Sequence, residues 1–210
     1  MTRPPEPFIL TGYRLFTKAL TPLVLIYLHA RKRRGKEDAR RLRERFGYAS
    51  YARPSGALVW LHAASVGEAN SVQPLIEALH KRYPALSLLL TTGTVTSAKL
   101  MRERLPEGVI HQFVPVDVPQ AVQRFVTHWR PDAALFVESE LWPGLLAATH
   151  ASGCRMVLVN ARISERSFRI WNKYSALAYT MLSWKVFGVC SSGLYAVLMC
   201  GCLPSICRSI

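Results

Sequence analysis

The sequence predicts a doubly wound α/β domain built on parallel strands. Two observations carry that reading. From Gly56 onward, short apolar runs of strand length alternate with stretches of helical periodicity. Four polar clusters, HAASVGE (62–68), TTGT (91–94), ESELWP (138–143) and NARIS (160–164), each follow such a run closely. Strands that alternate with helices pair in parallel through crossovers, and their carboxyl ends then share one edge.

The elements follow in order. Ala57–His62 reads as a buried strand, and the helix Ala69–Tyr83 follows it, with Val72, Leu75, Ile76 and Leu79 at helical spacing before Pro84. Leu86–Thr91 is a second strand, Ser97–Leu105 a helix and Val109–Val114 a third strand. Val118, Ala121, Val122, Phe125, Val126 and Trp129 mark an amphipathic helix. Ala133–Val137 is a fourth strand, Leu141–Ala151 a helix and Met156–Val159 a fifth strand. A long helix over Ser167–Ser183 and a short strand over Lys185–Val189 complete the series. Pro54-Ser55-Gly56 reads as the boundary before the sheet domain. No internal repeat or low-complexity segment interrupts it.

Ahead of that boundary lies Phe8–Ala30, whose longest charge-free part is Ala19–Ala30. As a helix this part measures roughly 18 Å, against a hydrocarbon core of about 30 Å. An interfacial or shallow membrane helix is therefore the first expectation for residues 1–30; a single span and a buried helix are the alternatives. No small-residue cleavage site follows the apolar run, as a signal peptide would require. Residues 31–55 read as a basic helical lead-in. The chain has 27 Lys+Arg against 13 Asp+Glu, a formal +14, and Arg31–Arg45 holds nine of the cations with three acids. Charge confined beside an apolar segment points to anionic headgroups, each cation contributing about 1 kcal/mol near the surface. No nucleic-acid reading motif accompanies it, so nucleic acid is not an expected partner.

The motif inventory excludes several chemistries. There is no G-x-G-x-x-G after the first strand, no phosphate-binding G-x-x-x-x-G-K-[ST] and no G-x-S-x-G. Of five cysteines, Cys190, Cys200, Cys202 and Cys207 crowd the last 21 residues without a C-x-x-C, which suggests neither zinc nor a disulfide framework. What the predicted edge does offer is carboxylates: Glu68, and the pair Glu138 and Glu140. Ser65, Gly67, Thr92, Glu140 and Arg162 are the neighbouring candidates for substrate contacts. Ser65-x-x-Glu68 also fits a capping box at a helix start, so two roles stay open for Glu68: cap or general base.

Taken together, HAASVGE, TTGTVTS, VPVDVP, ESELWPGL and NARISERS resemble, in order and spacing, the 3-deoxy-D-manno-octulosonic acid (Kdo) transferases. The lead-in, with its GKE (35–37) and ERFG (44–47), is similar too. The resemblance covers about residues 9–189. It implies the amino-terminal, acceptor-side Rossmann-like domain of a GT-B glycosyltransferase over residues 56–189. Such enzymes are membrane-associated, act at the cytoplasmic face of the bacterial inner membrane, and transfer Kdo from the donor CMP-Kdo to lipid IVA without a metal. By position Glu68 aligns with the family's base and Glu138 with a carboxylate that stabilises the transition state. After Val189 the resemblance stops, and residues 190–210 read CSSGLYAVLMCGCLPSICRSI. The expectation there is a non-family tail from a frameshift or truncation, and a chain poorly active or inactive without a donor-binding domain. A noncatalytic fragment that binds membrane and acidic lipid is the alternative.

Overall fold

Six strands form one all-parallel sheet in the order β3-β2-β1-β4-β5-β6. The strands are β1 (Leu58–His62), β2 (Ser87–Thr92), β3 (Ile110–Phe113), β4 (Ala133–Val137), β5 (Arg155–Val159) and β6 (Phe187–Val189). A computed structural model describes residues 8–138, 142–159, 169, 172 and 187–189. The expected helix over 167–183 and the tail 190–210 lie outside the described residues, apart from two helical positions at 169 and 172.

Both faces of the sheet are covered, which is why its strands are nearly continuous apolar runs. On one face α3 (Val66–Arg82) and α4 (Val95–Arg104) bring Val72, Ile76 and Met101 against Leu61, Leu88 and Leu90. On the other, α5 (Pro119–Trp129) and α6 (Pro143–Ala151) bring Phe125, Trp129 and Leu145 against Leu58, Trp60 and Phe136. Trp60 lies 4.9 Å from Phe125 and 5.2 Å from Phe136 between ring centroids, within the range of favourable aromatic pairing.

The amino-terminal segment is two helices rather than one, α1 (Phe8–Ala19) and α2 (Thr21–Arg33), bent by 55°. Pro22, in the first turn of α2, has no N–H to give a preceding turn, and its ring would crowd the carbonyl of Lys18. No single described helix is long and apolar enough to cross a membrane; by length and composition the bent pair is. α1 packs on α5 and α6, and its Leu10 is fully buried in their core. Outward, Phe8, Leu15, Phe16, Leu23, Ile26 and Tyr27 are exposed.

The basic lead-in is not the helix that residues 31–55 suggested. After α2 it makes a turn and a 3-10 helix, Leu42–Phe46, that lies along the free side of the edge strand β3. Arg41 Nη2 donates to His111 O at 2.8 Å, Glu44 Oε2 accepts from Phe113 N at 2.8 Å, and Arg45 Nη1 donates to Val114 O at 3.1 Å. Arg45 O then accepts from Val116 N at 2.9 Å. These groups take up the backbone donors and acceptors that an edge strand otherwise leaves open. The guanidinium groups of Arg41 and Arg45 also stand 4.8 and 5.0 Å from the Phe113 ring centroid. Three of the nine lead-in cations are thus spent inside the protein: Arg31 and Arg45 on the buried Glu37, Arg41 on the buried Glu44. Lys32, Arg33, Arg34, Lys36, Arg40 and Arg43 are exposed.

Removing Glu44 takes the counter-charge from the Arg41 guanidinium and the acceptor from the buried Phe113 N–H. Glu44→Ala is expected to cost about 3–5 kcal/mol, the range for breaking a buried ion pair. Urea denaturation measures it, with Lys99→Ala on an exposed helix face as a control that changes stability by less than about 0.5 kcal/mol.

Candidate active site

β1 and β4 are adjacent central strands, and the connections leave them in opposite directions: β1 leads to β2 and β3, β4 to β5 and β6. At such a switch point two loops diverge at the carboxyl edge and leave a crevice, the usual ligand site of a doubly wound sheet. His62 of β1 pairs in register with Phe136 of β4. Glu68 lies in the first turn of α3, which follows the first strand, and Glu138 directly follows the second, so the two flank the switch point.

The β1–α3 loop is held by a continuous series of hydrogen bonds. Ser65, in an extended N-cap conformation, accepts from Glu68 N through Oγ at 3.2 Å. The Glu68 carboxylate reaches back one residue beyond the N-cap and accepts from Ala64 N through Oε2 at 2.9 Å. Oε1 receives no hydrogen bond from a described residue. Ala64 O accepts in turn from Gly93 N at 2.9 Å, and Gly93 O accepts from Arg45 Nη2. Arg45 is fixed at its other side by Glu37 Oε2, 3.0 Å from Nε. One buried arginine therefore ties the TTGT turn to the lead-in, and the turn ties the loop that carries Glu68. Glu68 is 7% exposed, while Ser65 and Gly67 beside it are exposed. One carboxylate oxygen thus serves the loop, and the other takes no part in the cap.

Glu138 has φ +57°, the left-handed region that a non-glycine residue adopts at a cost. Its N–H donates to Val159 O at 2.9 Å, continuing the ladder past the end of β4 while the side chain stays partly exposed. Glu140 and Arg162 lie outside the described residues. Thr92 is fully buried and its Oγ1 sits 3.0 Å from His111 Nε2. Arg41 can only donate to His111 Nδ1, at 3.0 Å, so the ring carries its proton on Nε2 and donates to Thr92. Within TTGT it is Thr94 that is exposed, where it forms a reciprocal cap with Ser97 at the start of α4.

Three residues that the sequence did not single out organise the edge. Arg45 was hidden among the lead-in cations. His62 is completely buried at the end of β1, with Nδ1 3.0 Å from Thr91 Oγ1 and no partner on Nε2 among the described residues. Burial, then the nearby Arg45 charge, lowers its pKa to about 4 despite the Thr91 contact. Asp117 follows β3 and accepts from Gly144 N (2.9 Å), Leu145 N (2.7 Å) and Tyr13 OH (2.6 Å). Its carboxylate caps α6, at the positive end of the helix dipole, and fastens α1 to the same point. Burial raises the Asp117 pKa against these three bonds, and burial and the Asp117 charge raise that of Tyr13. A Cβ on Gly144 would stand 2.6 Å from Asp117 Oδ1, which explains a glycine directly after Pro143.

A family model described as 3-deoxy-D-manno-octulosonic-acid transferase (kdotransferase) matches residues 40–192. The chain belongs to the Kdo transferase family. The match includes the 3-10 helix with Arg41, Glu44 and Arg45 and all the strands, and α1 and α2 precede it. The probable mitochondrial 3-deoxy-D-manno-octulosonic acid transferase of Arabidopsis thaliana is 40% identical over 165 residues, 79% of this chain and 37% of its own length. The 3-deoxy-D-manno-octulosonic acid transferase of Rickettsia bellii is 38% identical over 161 residues, 77% of this chain and 38% of its own. That of Haemophilus influenzae is 34% identical over 165 residues, again 77% and 38%. The chain thus spans less than two-fifths of the length of these curated Kdo transferases.

Two outcomes test the geometry. A Cβ at position 93 would meet Ala64 O at 2.9 Å, so Gly93→Ala is expected to push the β1–α3 loop away and loosen the Glu68 cap, seen as faster amide exchange at Ala64 and Glu68. His62 and His111 are neutral in the fold, with pKa values lowered by burial to about 4 and about 3 from 6.5. The unfolded chain therefore binds more protons below about pH 6.5, and stability falls as pH drops from there toward 4. Melting temperature against pH reads this slope, and His62→Gln is expected to flatten it.

Proposed function

We propose that this chain forms the acceptor-side domain of a GT-B Kdo transferase, with Glu68 as the general base. In the reaction so assigned, an acceptor sugar hydroxyl attacks the anomeric carbon of Kdo. Its proton passes to Glu68 Oε1, and CMP departs with the electron pair of the broken C–O bond. Glu138 stabilises charge that develops at the anomeric centre. The donor is CMP-Kdo, the acceptor lipid IVA, and the site faces the cytoplasm at the bacterial inner membrane. A base positioned for this proton contributes typically ~10²–10⁴-fold to the rate. No metal ion is assigned a role in this reading.

The observation that carries the reading is the position of the two carboxylates, one after each central strand at the switch point, within a chain of this family. Oε2 of Glu68 is committed to Ala64 N, which fixes the carboxylate, and Oε1 receives no hydrogen bond from a described residue. The low exposure of Glu68 fits a base that receives its proton from a seated acceptor rather than from bulk water. Transfer of labelled Kdo to lipid IVA tests the assignment in this chain joined to the carboxy-terminal half of a relative. Glu68→Gln is expected to lower transfer at least about 100-fold with the fold intact. Near-normal turnover in that variant removes Glu68 as the base.

The exposed apolar residues of α1 and α2 favour membrane association, whether or not the chain catalyses by itself. Phe16 and Ile26 are 63% and 66% exposed, so replacing them removes no packing that the fold needs. Phe16→Asp with Ile26→Asp is expected to lower partition onto anionic vesicles more than tenfold, by sedimentation, with unchanged urea stability. Retained partition would move the docking surface elsewhere.

A further inference from the structure

The left-handed backbone of Glu138, φ +57°, persists only where the surrounding chain holds it from more than one side. One side is the sheet, since Glu138 N donates to Val159 O at 2.9 Å and extends the ladder past β4. The other lies ahead in the chain. Four residues, 139–142, separate Glu138 from Pro143, where α6 begins. So short a connection passes a displacement of α6 back to Glu138.

Asp117 fixes that far end. Its Oδ1 accepts from Leu145 N at 2.7 Å, and its Oδ2 from Gly144 N at 2.9 Å and from the Tyr13 hydroxyl at 2.6 Å. The backbone on either side of the carboxylate is fastened as well: Val116 N donates to Arg45 O at 2.9 Å, and Val118 O accepts from Ala121 N and Val122 N as α5 starts. Tyr13 brings no counter-charge. Its hydroxyl is a directional donor on α1, and it holds Oδ2 in line with the first turn of α6. Gly144 lets that turn come close, because a Cβ there would stand 2.6 Å from Oδ1. We infer that Asp117, steadied by Tyr13, is a positioning residue for Glu138: it holds α6 where the chain leaving β4 must pass through the left-handed region. The catalytic consequence rests on the role proposed above for Glu138, whereas the positioning itself does not.

Backbone carbon chemical shifts of Glu138, measured by NMR on the full chain, report whether the residue stays left-handed. Amide exchange at Gly144 and Leu145 reports the cap. Tyr13→Phe keeps the ring and removes only the hydroxyl. It is expected to speed exchange at both amides about threefold or more and to move the Glu138 shifts toward extended values. Gly144→Ala leaves Tyr13 and Asp117 in place but drives the carboxylate off the turn, and is expected to move those shifts further. Exchange in the β1–β2 pair stays unchanged, which separates local release from unfolding. An ordinary helix cap predicts faster exchange at Gly144 and Leu145 with left-handed Glu138 shifts kept in both variants, and that result overturns the inference. In the chain joined to the carboxy-terminal half of a relative, Tyr13→Phe is expected to lower kcat for Kdo transfer at least about threefold, with KM for CMP-Kdo within about twofold. An unchanged kcat beside moved shifts removes Asp117 from the reaction. If Glu138→Ala transfers Kdo normally, the role proposed for Glu138 fails, and the shifts still decide whether Asp117 positions it.

Discussion

The guanidinium of Arg45 is buried where an unpaired charge would cost several kcal/mol, and its partners determine what the surrounding chain must do. Glu37 supplies the counter-charge, and the carbonyls of Gly93 and Val114 take its remaining donors. A planar fork with donors at fixed angles holds these partners in one geometry, which a lysine ammonium cannot do. The TTGT turn is fixed by that geometry, Ala64 by the turn, and the Glu68 carboxylate by Ala64. A charge network within the amino-terminal lead-in thus sets the position of a carboxylate on the far side of β1.

Asp117 plays the corresponding part on the other side of the switch point. It fixes the first turn of α6, just beyond the loop that Glu138 enters with a left-handed backbone, and it holds α1 by the Tyr13 hydroxyl. Segments that precede the sheet are therefore fastened on both sides: the β1–α3 loop to the lead-in, and the first turn of α6 to α1. A glycine stands at the closest approach in each case, Gly93 against Ala64 and Gly144 against Asp117. The amino-terminal helices and the loops at the switch point are in this way one mechanical unit.

Much of this architecture was legible in the sequence. Apolar runs between helical stretches gave the strands to within about two residues, because a parallel sheet covered on both faces needs nearly continuous apolar strands. The same burial explains where polar residues were less readable. Thr92 looks like a strand-end ligand, yet on a strand buried on both faces its hydroxyl must find an internal partner, which is His111. The lead-in read as a basic helix because its cations dominate the composition. Its acids Glu37 and Glu44 decide the outcome, through partners on β3 and beyond that no local pattern reveals. The break at Pro22 carried a signal in a single residue, outweighed by the apolar run around it. Glu68 was legible as part of a helix cap, which its bonds with Ala64 and Ser65 bear out, and its part as a base is the proposal made above.

Amide hydrogen exchange in Arg45→Lys tests most directly whether the lead-in positions the Glu68 loop. The lysine keeps the charge and gives up the fork. If Arg45 holds the turn, protection falls about tenfold or more at Gly93 and Ala64, as expected from losing a charge-assisted hydrogen bond of about 1.5–3 kcal/mol. Protection in the β4–β5 pair, remote from Arg45, stays unchanged. Full protection at Gly93 and Ala64 in the variant, with faster exchange only in residues 37–47, would contradict the account.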